Sequence, residues 1–169
     1  MNLQNDIKAA KAVGSKDYDT AIEIYKGKVE ENETDSFALS MLAHCYEWKK
    51  DMESAIEYAN RVLGVVPTDF SMLLLAARYW SRQTDNDRTY HYACRALEHP
   101  PEPSPEIPQW NFWILKPLSV FPKFRNFEKK AKKDMARHEM KDKDNLKWAK
   151  EYKEWYEIKH GPGEEKSIH

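Results

Sequence analysis

The sequence predicts an all-α fold, a short solenoid of three helix hairpins closed by a C-terminal aromatic and helical cap. Three observations predict it. The triplet Glu33-Thr34-Asp35 returns as Pro67-Thr68-Asp69, a period of 34 residues. Small residues recur on the same clock: Ala9, Ala43 and Ala77 before the mid-unit break, Ala21 and Ala55 after it, with the bulkier Thr89 in third place. Only 5 of the 169 residues are Gly, which argues against a turn-rich β fold. A unit of this length holds two helices, a tight turn and a linker, and cannot bury its apolar face alone, so it stacks.

The units read as residues 2–35, 36–69 and 70–101. In the first, Leu3, Ile7, Ala10 and Val13 give a weak helical stripe, broken at Gly14-Ser15-Lys16-Asp17. Its second helix carries Tyr18, Ala21, Ile22, Ile24, Tyr25 and Val29 at three- and four-residue steps. Gly27 weakens that helix by about 1 kcal/mol against Ala, so a close helix crossing is expected there. The second unit has Phe37, Leu39, Leu42, Ala43 and Tyr46 on one helix. Asp51 then caps a helix packed through Met52, Ala55, Ile56, Ala59, Val62 and Leu63. In the third unit, Phe70, Leu73, Leu74, Ala76, Ala77 and Trp80 precede a turn expected at Thr84-Asp85-Asn86-Asp87. Tyr90, Ala93, Cys94, Ala96 and Leu97 follow, and Pro100-Pro101 stops the chain of repeats.

Residues 2–101 resemble the tetratricopeptide repeat. Ala9, Ala43, Ala77, Ala21 and Ala55 stand where that family places small residues between paired helices. Its first-helix aromatic is matched by Tyr46 and Trp80, its turn aromatic by Tyr18, and its closing proline by Pro67 and Pro101. Its early tryptophan is replaced by Asn5, Leu39 and Leu73. The resemblance implies a right-handed α-α superhelix with a concave groove built from the first helix of each unit. Carried onto this chain, the groove positions are Leu3, Asp6, Ala10 and Val13, then Phe37, Ser40, His44, Glu47 and Trp48, then Ser71, Leu74, Arg78, Ser81 and Arg82. Arg78 and Arg82 are one turn apart and are placed either to receive a carboxylate or to pair with Glu47.

Five of the nine prolines fall within residues 100–108, an extended, semi-rigid stretch. Residues 102–125 are read as this Pro-rich stretch followed by an aromatic cap, with Trp110, Trp113, Phe121 and Phe124 expected against the last repeat. A partner-binding patch is the alternative for these aromatics. Residues 126–160 have strong helix propensity, as one helix or two, with a charged interruption at Met140–Asn145. Trp148, Tyr152 and Trp155 are candidates for a second interface, and residues 161–169 read as a disordered tail.

Charge is unevenly placed. Residues 1–119 carry 13 Lys/Arg against 18 Asp/Glu, and residues 120–160 carry 13 against 8. The basic helix could therefore dock to RNA or to an anionic membrane surface, although Glu128, Asp134 and Glu139 blunt its field. No apolar run approaches the ~20 residues of a membrane span. Two cysteines, Cys45 and Cys94, and no basic-apolar leader point to a reducing, cytoplasmic setting. His91, Cys94 and His99 lack convergent zinc spacing, and no phosphate loop or nucleophile elbow occurs. The expectation is a non-enzymatic adaptor or scaffold without metal or cofactor, its groove holding a peptide or helix of another protein. Nucleic acid ranks below protein as a partner.

Overall fold

The computed structural model describes residues 3–101 and 122–161. Among these the secondary structure is all α-helical, in seven helices, with repeated helix-hairpin packing of the first six. They are α1 Leu3–Gly14, α2 Tyr18–Glu31, α3 Ser36–Lys49, α4 Met52–Val65, α5 Phe70–Arg82, α6 Asn86–Glu98 and α7 Pro122–His160. From α1 to α6 each helix packs on its neighbour in sequence. The chain divides into two compact units, residues 1–99 with 149–169, and residues 100–148.

The tight turns after α1, α3 and α5 share one backbone solution. Lys16, Lys50 and Thr84 hold positive φ values of 64°, 70° and 59°. These three positions are 34 residues apart. The following Asp N–H reaches back five residues to a helix carbonyl each time: Asp17 to Ala12 at 2.8 Å, Asp51 to Tyr46 at 3.0 Å and Asp85 to Trp80 at 3.1 Å. A left-handed residue followed by this long backward bond closes the helix end and satisfies its orphan carbonyls. The same Asp then opens the next helix. Its carboxylate accepts the N–H of Thr20, Ser54 or Arg88, three residues on. Asp35 and Asp69 do likewise for α3 and α5, accepting from Ala38 and Met72. These bonds hold the Asp51 carboxyl below its ordinary value, through the Ser54 N–H first and the Ser54 hydroxyl second. The turn expected at Thr84–Asp87 is thus displaced: Asn86 and Asp87 already belong to α6, because Asp85 is its cap.

The small residues lie at helix contacts. Ala9, Ala21, Ala43, Ala55 and Ala77 are all fully buried, and so is Thr89, the bulkier member of the series. Thr89 is tolerated because its hydroxyl donates to the Asp85 carbonyl at 2.7 Å, so no polar group is left unpaired. Two expectations are corrected. On α1 the buried side is Ala9 and Ala12, whereas Ile7 and Ala10 are exposed. As the first helix of the stack it has a neighbour in α2, and small residues let that neighbour approach closely. At Gly27 there is no close crossing: an added Cβ would meet nothing within 4 Å.

The charged stretch Met140–Asn145 does not interrupt α7, which runs 39 residues unbroken. Pro122 opens it, where the missing N–H costs nothing, and Gly161 at φ 80° closes it. Its last turns lie against α6. Ala149 is fully buried and Tyr156 nearly so. The Tyr156 ring stacks on Tyr90 at 4.2 Å. The expected capping aromatics Trp110, Trp113 and Phe121 lie outside the described residues, as do the Pro-rich stretch and the 162–169 tail. Phe124 falls in the first turn of α7.

The shared turn carries a measurable cost. A non-glycine left-handed residue is strained by roughly 1–2 kcal/mol. Lys50→Gly is expected to raise stability by about 1 kcal/mol. Asp51→Ala is expected to lower it by about 1 kcal/mol through loss of the cap. Urea unfolding followed by circular dichroism reads both; a destabilised Lys50→Gly variant refutes the strain.

Candidate functional site

Residues on α3 and α5 carry most of the expected groove. Phe37, Ser40, His44 and Trp48 recur at three, four and four residues, so they share one stripe of α3. Phe37 is 61 % exposed and Trp48 39 %. The stripe is anchored from both ends. Phe37 rests edge-on against the buried ring of Tyr25 at 6.2 Å. Trp48 contacts two rings, with His44 stacked at 5.7 Å and Tyr18 tilted at 5.4 Å.

A charged cluster lies toward the C-terminal end of α3, beside Trp48. Arg78 Nη2 of α5 donates to Glu47 Oε1 of α3 at 2.9 Å. His44 Nδ1 is 3.4 Å from the other carboxylate oxygen. Of the two roles open to Arg78, the structure therefore shows the pairing with Glu47. An incoming carboxylate would have to displace one already in place. Ser40 and Ser81 are half-buried, and Ser71 and Arg82 are exposed. Leu74 departs from expectation: it is 2 % exposed and offers no open surface. The reason is that α5 is enclosed on nearly all sides, with Phe70 and Met72 through Ala77 all buried. On α1, Asp6 is engaged by Lys28 of α2 in an ion pair, and Val13 packs on the core.

The second candidate interface divides. Tyr152 is taken up within the chain, its hydroxyl donating to Asn86 Oδ1 of α6 at 2.9 Å. The Tyr90 hydroxyl donates to Glu157 at 2.8 Å, and that of Tyr156 to Asp87. Sequence reading missed this tyrosine cluster as a docking device, because Asn86 and Asp87 were assigned to a turn. Trp148 is half-buried. Trp155 is 44 % exposed, with the Lys159 ammonium 5.0 Å from its ring centre.

The cysteines pack. Cys45 is fully buried, and burial pushes its thiol up to about 11. Burial also raises the Cys94 thiol. Neither is poised as a thiolate at neutral pH. Among the described residues, no group of three His, Cys, Asp or Glu is placed to hold a metal ion. None of their helices is long and apolar enough to cross a membrane.

Residues 12–79 match the family model of the tetratricopeptide repeat. The matched span runs from the end of α1 through most of α5, so the N-terminal part of the chain contains a tetratricopeptide-like region. It is narrower than the resemblance over residues 2–101. No curated protein matches the chain. Repeats of this family generally mediate protein–protein interaction, and the region here has the helix-hairpin packing that such interaction uses.

The docking of α7 titrates at high pH. The hydrogen bond to Asp87, then burial, push the Tyr156 hydroxyl up to about 12. Burial, then the Glu157 hydrogen bond, raise that of Tyr90. The neutral phenol is the donating form. Its contribution is complete below the ordinary tyrosine value of about 10 and is lost as pH rises through about 12. Tyrosinate absorbance and helical circular dichroism are expected to change together in that window. Tyr156→Phe is expected to remove most of the coupled change and to lower stability by about 1 kcal/mol. A helical signal indifferent to both would refute the role of these hydroxyls.

Proposed function

We propose that the α3–α5 face is the recognition groove of a non-enzymatic adaptor, and that it holds a peptide or helix of another protein. The observation that carries this reading is the pair of exposed aromatics, Phe37 and Trp48, on one stripe of α3. They stand eleven residues apart, or about 16 Å along a helix axis. Next to Trp48 the Glu47–Arg78 pair supplies directional polar contacts. Aromatic anchors with a polar pair beside one of them suit a protein ligand, because rigid rings contribute contact area at little entropic cost. The tetratricopeptide match over residues 12–79 supports the same class of partner.

On this reading residues 1–101 form three repeats of a right-handed superhelix. The end of α7 supplies a terminal cover for it, and the protein works in the cytoplasm as a scaffold. Affinity capture coupled to mass spectrometry, followed by titration of the recovered partner, tests the proposal. Phe37→Ala and Trp48→Ala are each expected to cost about 1–2 kcal/mol of binding, with Trp155→Ala near neutral. A partner that tolerates both groove changes, but not Trp155→Ala, moves the site to α7 and overturns the reading.

A further inference from the structure

The first repeat lacks a side chain that the next two carry. Tyr58 and Arg61 on α4 return as Tyr92 and Arg95 on α6, 34 residues later. In both, the guanidinium lies over its tyrosine, at 5.4 Å and 5.9 Å from the ring centre. Arg95 also donates to the Pro67 carbonyl of the preceding linker at 2.7 Å. The corresponding pair on α2 is Ile24 and Gly27. Where the other repeats place an arginine, the first has an open cleft of about 440 Å³ between α1 and α2. An added Cβ at Gly27 would meet nothing within 4 Å, so the room is real.

The walls of the cleft suit a cation. Glu23, Glu31 and Asp35 line it, alongside Asn5 and Asn32. The one lining cation, Lys28, is engaged by Asp6. The chain itself carries a complementary surface. On α7, Lys133, Arg137 and Lys141 are exposed and recur every fourth residue, so they share a face. Met140, 65 % exposed, lies between the last two.

We propose that the Gly27 cleft of one molecule receives a cationic side chain from the Lys133–Arg137–Lys141 face of a second copy, supplying in trans the cation that the later repeats carry at the equivalent helix position. Each molecule presents both surfaces, so the contact is self-association driven by opposite charge, and it weakens with salt. It does not use Trp48, His44 or Arg78, so its fate is independent of the groove.

Sedimentation velocity of the full chain at low and physiological salt tests this, with four samples beside wild type. Gly27→Arg supplies the missing side chain in cis. Its position is open and its helix propensity improves, so folding is not at risk. Glu23→Lys with Glu31→Lys reverses the cleft, and Arg137→Glu with Lys141→Glu reverses the helix face. The four charge-reversed positions are all exposed. Wild type is expected to self-associate at low salt and to dissociate as salt rises. Each variant alone is expected to be monomeric. An equimolar mixture of the two charge reversals is expected to associate again, because the basic cleft of one meets the acidic helix of the other. Wild type that stays monomeric at low salt overturns the proposal. So does association that survives Gly27→Arg, or a mixture that stays monomeric.

Discussion

The architecture depends on a turn in which one residue goes left-handed and the next, an aspartate, caps a helix. A helix end leaves carbonyls without partners, and a helix start leaves N–H groups without partners. In a hairpin both ends lie within three residues of each other. The backward bond from the Asp N–H deals with the first problem and the Asp carboxylate with the second. The fixed dihedral angles then set the direction in which the second helix leaves. Because Lys16, Lys50 and Thr84 repeat the conformation at a spacing of 34 residues, successive hairpins begin from the same geometry. The linkers repeat as well: Asp35 bonds back to Asn32 and Asp69 to Val66, both at 3.1 Å. Small residues at Ala9, Ala21, Ala43, Ala55 and Ala77 then let the oriented helices come into contact. Packing completes what the turns have directed.

Longer side chains tie the helices together within and between hairpins. The column Lys26, Tyr46, Tyr58 and Arg61 runs from α2 through α3 to α4. Its two tyrosine rings are nearly parallel at 5.5 Å, and a cation lies 5.8 Å and 5.4 Å from the respective ring centres. Such contacts contribute about 0.5–1.5 kcal/mol each. On the α5 side of α3, the Glu47–Arg78 pair makes a second tie. With both charges only partly covered, this tie fixes relative position more than it adds stability. The central helix α3 is held on two sides, and the stripe bearing Phe37 and Trp48 inherits that rigidity.

Much of the fold was legible because local chemistry and repeat spacing agree. Asp51 was readable as a cap, and the equivalent Asp17 and Asp85 were equally readable from the 34-residue clock; reading Thr84–Asp87 as one loose turn hid Asp85. The left-handed residues were harder to see, since lysine and threonine stand where glycine would announce the conformation. Side-chain direction was less legible than helix position. Leu74 shares a helix stripe with Arg78, yet it is buried, because enclosure of α5 depends on elements distant in sequence. Tyr152 looked like an interface residue from composition alone, whereas its hydroxyl has a partner on α6, sixty-six residues away. Long-range pairings of that kind leave no periodic trace.

Gly27 shows how the same residue changes meaning between levels. As a sequence symbol inside a helix it suggests a close crossing, since that is the usual reward for tolerating glycine's cost in propensity. In the fold its surroundings are open, so close packing is not what accounts for it. The comparison that gives it sense is with its own repeat partners, Arg61 and Arg95, which fill the equivalent position with a guanidinium. A repeat protein carries internal references of this kind: what two units do alike, a third can be seen not to do. The departure falls beside three carboxylates in the first repeat, in a chain whose opposite charge is concentrated past residue 120. The other two units carry their own cation at this helix position. An unfilled position among acids makes sense when the missing cation arrives from outside.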